Sequence, residues 1–334
     1  MPSAKHLAAA RLAVSQASIV CRVVQRNLEN VRAVTKDDKS PVTVADFASQ
    51  AVVAHVLTQQ LGEEIILVGE EESASVREDD TLLAATLAAV REVWPDADED
   101  SLLKAIDVGR GDTHHSGFWT LDPVDGTKGF LRNQQYAVAL AYIERGTPTI
   151  GALGCPNLPM DFNADIDTPD NMGCLYLTIR GDGVLEAPAL DPNAKPRRIT
   201  RLDHLKGDPI RVCASVEKAH SNADDTDRIL EFIGESSTPI RLDSQAKYAV
   251  VARGQADAYL RLPTKKGYIE RIWDHAAGAL VAAEAGCFIT DIKGNTLDFS
   301  HGRGLEKNRG IVCAPPRVHA LLINAIDQLG IGAE

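Results

Sequence analysis

The run Trp119-Thr-Leu-Asp-Pro-Val-Asp-Gly-Thr-Lys-Gly129 sets two carboxylates, Asp122 and Asp125, beside a proline, a glycine and a threonine. The apolar stretch Phe118 to Leu121 leads into the first acid and reads as a buried strand that delivers charge to its own end. Buried charge is costly unless something neutralises it, and a hard divalent cation is the natural partner for carboxylate oxygens. Taken alone, Asp-Pro and Asp-Gly are also ordinary turn formers. More acids stand where elements begin or end: Asp46, Glu70 after Gly69, and Asp274 in Trp273-Asp-His-Ala-Ala-Gly278. Each has a plainer reading, Asp46 and Asp274 as helix caps and Glu70 as a solvated surface charge.

The elements that must position these acids follow from apolar spacing. Residues 5–30 and 45–61 read as amphipathic helices, with Asp46 near the start of the second. Ile65 to Val68 reads as a short strand that ends at Gly69. The stretch 73–115 is polar, helical from Leu82 to Val93 and loop-like at its end. After the strand into Asp122, Tyr136 to Ile143 and Thr149 to Leu153 form strands joined at Arg145-Gly146, 156–172 a loop, and Leu175 to Ile179 a further strand. From about residue 205 short strands alternate with helices, an α/β pattern that implies a largely parallel sheet. The first half, with consecutive strands, is closer to α+β. The expected division is 1–205, carrying most of the acids, and 206–334, carrying Asp274.

At 334 residues the chain is long enough for two cores. Its composition, 44% hydrophobic and 25% charged, is that of an ordinary globular protein. Neither a membrane-spanning apolar run nor a signal peptide is read from it, so a cytoplasmic protein is expected, with the nucleus as the alternative. The net charge of −12 offers no general attraction to nucleic acid. The cysteines, at 21, 155, 174, 213, 287 and 313, lack zinc-ligand spacing and read as buried free thiols.

Gly-Glu-Glu, Asp-Pro-Val-Asp-Gly-Thr and Trp-Asp-His-Ala-Ala-Gly occur here in that order. Together they resemble the magnesium-dependent phosphomonoesterase superfamily that includes inositol monophosphatase and fructose-1,6-bisphosphatase. Pro41 to Asp46, Trp119 to Arg132, Gly154 to Leu158, Ser215 to Ser221, Leu242 to Tyr248, Tyr259 to Pro263 and Ile272 to Gly278 resemble one branch, the 3′(2′),5′-bisphosphate nucleotidases. The resemblance runs from about residue 5 to 325 and implies alternating layers of helices and two sheets, αβαβα. It also implies a lithium-sensitive hydrolase of sulfur and nucleotide metabolism. Such an enzyme removes the 3′-phosphate of adenosine 3′,5′-bisphosphate, and of its sulfated form, with two to three magnesium ions.

By that likeness Glu70, Asp122 and the Val124 carbonyl hold one ion, and Asp122, Asp125 and Asp274 a second. Glu71 is the fallback for Glu70, because this chain has one more glutamate than the usual Gly-Glu-Glu-Ser. Asp46 and Thr127 form the water-activating pair, since a threonine hydroxyl is a poor base without a carboxylate behind it. Thr127, His220, Ser244, Lys247, Arg261 and Asp274 contact the substrate, a small nucleotide bisphosphate. No nucleic-acid or membrane partner is expected, and the chain is expected to be a monomer. The alternative in the same superfamily is an inositol polyphosphate 1-phosphatase with the same metals.

Overall fold

The chain opens with two helices, α1 (Ala4–Arg26) and α2 (Ser40–Leu61). On α1 the residues Ala10, Ala13, Val14, Ala17, Cys21 and Val24 recur at three- and four-residue spacing and are buried, the stripe a packed helix needs. They lie against α2 and the first sheet. By length and composition alone α1 is apolar enough to cross a membrane, contrary to the sequence reading; here its apolar face is core.

The computed structural model describes residues 3–28, 40–62, 65–166, 168–205, 207–216, 223–234, 237–263 and 267–332. His220, expected in the substrate site, lies outside them.

A seven-stranded sheet follows in sequence order: β1 (Leu67–Gly69), β2 (Gly117–Asp125), β3 (Ala137–Glu144), β4 (Thr147–Cys155), β5 (Cys174–Ile179), β6 (Val184–Pro188) and β7 (Arg197–Arg198). Only β1 and β2 pair in parallel; the rest is an antiparallel meander. Helices α3 (Ala74–Arg77), α4 (Asp80–Val90) and α5 (Glu99–Asp107) fill the connection between β1 and β2, and α6 (Thr127–Leu131) follows β2. A second sheet is built from β8 (Ile210–Ala214), β9 (Ser237–Arg241), β10 (Ala258–Arg261), β11 (Phe288–Thr290) and β12 (Ile311–Ala314), in the order β11-β12-β10-β8-β9. Its helices are α7 (Ala223–Ile233), α8 (Ala246–Arg253), α9 (Ala276–Glu284) and α10 (Pro316–Gln328).

Strand alternation makes the layers. On β3, Val138 and Leu140 enter the core under α1 and α2. Their neighbours Ala137, Ala139 and Ala141 enter a second core shared with α8 and α9, as a two-residue side-chain period requires. Cys213, Tyr259 and Cys313 close that second core from the other sheet. Val212, Leu260 and Val312 point the opposite way, toward α7 and α10. The result is the expected αβαβα stack. Alanines on β3 and α9 bring the middle layers close. A Cβ on Gly278 would lie 2.3 Å from Tyr248 Cδ2, a ring whose hydroxyl is 2.9 Å from His275 Nδ1. Gly278→Ala is therefore expected to lower stability by about 1–3 kcal/mol, read as a fall in thermal midpoint. An unchanged midpoint would mean that the tyrosine ring swings aside without cost.

Four sequence expectations need correction. The second sheet is mixed, not largely parallel: β8 pairs in parallel with β9 and β10, but β12 is antiparallel to both β10 and β11. The stretch 73–115 holds a further helix, α5, before a loop-like end at 108–115. Asp98 accepts from Ser101 N at 2.8 Å and caps α5, which buries Leu102, Leu103, Ala105 and Ile106. Strand β6 went unread because its central Glu186 is charged; that carboxylate is fully buried and pairs with Arg197 at 2.7 Å. Asp46 is not a cap, because α2 begins at Ser40 and places it in the second turn.

Candidate active site

Strand β2 carries the two acids farther than a turn would. It continues to Asp125 through Pro123, and the pairing slips on the way: Asp122 faces Ala139, and Asp125 faces Ala137. Three steps on β2 thus match two on β3, the extra residue of a β-bulge. In a regular strand residues three apart point to opposite faces; the added residue restores them to one side. Proline fits there because it has no N–H to give the ladder, and its carbonyl accepts from Ser49 Oγ at 2.9 Å. Val124 lies inside the bulge, buried, and lines the cleft with both acids. Gly126 then turns left-handed (φ 89°), and a Cβ there would stand 2.8 Å from Ser244 Cβ. The chain so reaches α6 with Thr127 on the cleft wall.

Helix α2 fixes the other early acids. Gln50, fully buried, donates from Nε2 to the carbonyls of Glu71 (2.7 Å) and Ile106 (2.9 Å), and its Oε1 accepts from Glu71 N at 3.1 Å. This pins the Gly69–Glu71 segment with Glu70 facing the cleft. Asp46 lies one helical turn earlier on α2. No hydrogen bond joins it to Thr127 among the described residues. Ser49 and Gln50, three and four residues after Asp46, were not singled out from sequence, although helical spacing places them on its face.

The second half supplies the rest. Ser244 takes a left-handed backbone (φ 70°), and its Oγ accepts from Ala246 N at 3.1 Å at the start of α8. Gln245 N donates to Asp125 Oδ2 at 2.6 Å, Gln245 Nε2 donates to the Trp273 carbonyl at 2.8 Å, and Gln245 Oε1 accepts from Gly278 N at 3.0 Å. One buried residue therefore ties the Asp125 bulge, through its backbone N–H, to the turn that bears Asp274, through its side-chain amide. The N-cap of α9 is His275, so Asp274 is not the cap but the residue before it, beside the cleft. Lys247 is buried, its ammonium 5.2 Å from the Tyr259 ring centre. Arg261 donates from Nε to Glu270 Oε1 at 2.8 Å. Asp243 and Tyr268, not anticipated, also line the cleft, with Asp243 paired to Arg132. The cavity holds about 410 Å3, the size of a small-molecule site.

Charge decides what this cavity can bind. Burial, then Asp125, Glu70, Asp274 and Asp46, push the Asp122 carboxyl well above its usual range. Burial and neighbouring acids raise Glu70 to about 7 and Asp274 to about 8. Asp122 is 4% exposed, and its Oδ1 has no hydrogen-bond partner. A buried oxygen of this kind costs about 1–3 kcal/mol unless an ion meets it. The donor set is all oxygen and fits a hard divalent cation. Among the described residues the tightest potential ligand group is Glu270, Asp274 and His275, within 4.8 Å of one another. Glu270 is already committed there, to Arg261 at 2.8 Å and His275 at 3.3 Å. Glu70, Asp122, Asp125 and Asp274 do not close into such a group among the described residues.

A pH effect follows for cation-free protein. Glu70 and Asp274 hold protons in the fold up to about 7 and about 8, against 4.5 and 3.8 ordinarily. The folded state binds the extra protons, so their contribution is complete below the ordinary values and is lost as pH rises through the folded ones. The lowered histidines His55, His275 and His319 act oppositely, but only up to their ordinary 6.5. Thermal midpoints in chelator are expected to fall between about pH 6.5 and 8.5, and magnesium should flatten the fall. A rise across that interval would contradict the acid cluster.

Five alternating layers and an acid-lined cleft drawn from both sheets define the class of protein. The chain belongs to the inositol monophosphatase family, whose pattern matches residues 5–330. Within that breadth, a 3′(2′),5′-bisphosphate nucleotidase of Emericella nidulans is 40% identical, covering 96% of this chain and 97% of its own. A 3′(2′),5′-bisphosphate nucleotidase 1 of Arabidopsis thaliana is 41% identical, covering 96% and 95%. Among solved structures, CysQ from Bacteroides thetaiotaomicron superposes with a TM-score of 0.62 at 20% identity, over 92% of this chain and 96% of that one.

Proposed function

We propose that this chain hydrolyses the 3′-phosphate of adenosine 3′,5′-bisphosphate to give AMP and inorganic phosphate, and acts likewise on the 5′-phosphosulfate form. The observation that carries this is a single cleft in which the partnerless Asp122 oxygen, amid four other acids, shares the lining with Lys247 and Arg261. The names of the two nucleotidase relatives support the substrate. Glu70, Asp122, Asp125, Asp274 and the Val124 carbonyl would hold two to three magnesium ions, which neutralise phosphate charge and acidify water when bound. Glu70 is preferred over Glu71 because it lines the cleft.

Thr127 Oγ1 would take a proton from the attacking water and pass its own to Asp46, a relay that requires a hydrogen bond between the two to form when cation and substrate bind. Burial and the two neighbouring glutamates raise the proton affinity of Asp46, which suits a group that must receive one. The water oxygen bonds to phosphorus as the bond to the ribose 3′ oxygen breaks; that oxygen takes a proton from solvent water, and the proton received by Asp46 returns to solvent, so one water is consumed in all. Lys247, Arg261, Ser244 and His220 hold the remaining phosphate and the nucleoside, and Asp274 also touches the substrate. The test is phosphate release from adenosine 3′,5′-bisphosphate with and without magnesium, beside inositol 1,4-bisphosphate. Magnesium-dependent turnover of the nucleotide is expected. Inertness toward it, with turnover of the inositol compound, would transfer the reading to an inositol phosphate phosphatase.

A further inference from the structure

We infer that Arg303 is a positioning residue that locks the segments bearing Glu70 and Asp274 into one cation-binding frame; this rests on the cation reading above. Arg303 does not line the cleft. It lies in the connection between β11 and β12, and its Nη2 donates to the Gly69 carbonyl at 2.6 Å, across 234 residues of chain. That carbonyl belongs to the residue just before Glu70. The same guanidinium lies over the Trp273 ring, 4.8 Å from its centre, and Trp273 is the residue just before Asp274. One side chain therefore touches the immediate predecessor of each acid.

The backbone around it is equally fixed. Ile272 N donates to the Arg303 carbonyl at 3.2 Å, Leu305 N donates to the Glu270 carbonyl at 2.8 Å, and Arg271 and Gly304 form an antiparallel bridge. A Cβ on Gly304 would come within 2.7 Å of Ile269 Cγ2, so this close pairing needs the glycine. The buried Trp273 is held from a second side by Gln245, through its carbonyl. Arginine suits the junction because its planar group stacks on an aromatic face while its edge donates a hydrogen bond. Lysine offers a point charge without the plane.

The alternative is that Arg303 acts only through its charge. Arg271 provides the comparison. Its charge, like that of Arg303, acts on Glu70, and its guanidinium also lies over Trp273, 5.8 Å from the ring centre. The Gly69 bond is recorded for Arg303 alone among the described residues. A charge effect would be shared by the two arginines, whereas a frame effect belongs to Arg303.

The experiment is calorimetric titration of the full chain with manganese chloride alone, for wild type, Arg303→Met, Arg303→Lys and Arg271→Met, with thermal midpoints in chelator. Arg303→Met is expected to weaken cation binding about 10- to 100-fold, and the metal concentration for half-maximal activity should rise in step. Arg303→Lys should recover only a small part of that loss, and Arg271→Met should stay within about threefold of wild type. Wild-type cation affinity in Arg303→Met would overturn the inference. So would an equal loss in Arg271→Met, which would assign the effect to charge. If Arg303→Met does not fold, Arg303→Lys carries the test, and wild-type affinity there overturns the inference. A wild-type protein that takes up no cation would sink the cation reading itself, and this inference with it.

Discussion

Asp122→Asn should lose at least about 1,000-fold in phosphate release while leaving cation-free protein as stable as wild type or more so. The two halves of this expectation have one cause. In the fold Asp122 is nearly inaccessible, its Oδ1 meets no donor, and four other acids raise its proton affinity. A carboxylate in that state opposes folding and is useful only when a cation meets it. An amide of the same shape removes the like-charge repulsion and offers N–H donors to its acidic neighbours. A thermal midpoint in chelator raised by a few degrees is expected, together with loss of the stabilisation that magnesium gives wild type. Phosphate release that persists in Asp122→Asn would contradict the central place of this residue. A large fall in the chelator midpoint would show that the carboxylate serves the fold instead.

How far the sequence could be read depends on how local each cause is. Asp122 and Asp125 were legible because apolar residues deliver them and Pro123 and Gly126 punctuate them. The bulge that turns both acids to one face was not, because it exists only in the pairing of β2 with β3. Lys247 and Ser244 could be named from their motif, yet the role of the residue between them comes from contacts with Asp125 and Trp273, distant in sequence. Arg303 carries no local signal at all; its meaning is a bond to Gly69. The order of the second sheet escaped for the same reason, since strand pairing is a long-range choice. Strand β6 escaped for another: Glu186 breaks the apolar pattern, and its partners Arg197 and Arg253 come from outside the strand.

Lys247→Met should raise KM for adenosine 3′,5′-bisphosphate by about 10- to 100-fold with a smaller change in kcat, as expected when a charge-assisted contact worth about 1.5–3 kcal/mol disappears. Burial lowers the proton affinity of Lys247, while Asp125 opposes that shift. An ammonium kept out of water in this way has shed the hydration that would compete with a phosphate. Methionine keeps an unbranched apolar stem and removes the ammonium, together with its contact over the Tyr259 ring. The loss has a second consequence, because burial raises the Asp125 carboxyl and Lys247 is the foremost of the charges that oppose that rise. Without it the proton affinity of Asp125 should rise, and cation activation should become more sensitive to acid. Comparison with adenosine 3′-monophosphate separates the two effects. If Lys247 grips the 5′-phosphate, the wild-type-to-mutant KM ratio should collapse toward one on the monophosphate, while the acid sensitivity remains on both substrates. An equal ratio on both would place the ammonium at Asp125 alone and leave the second phosphate to Arg261 or to residues outside the described structure.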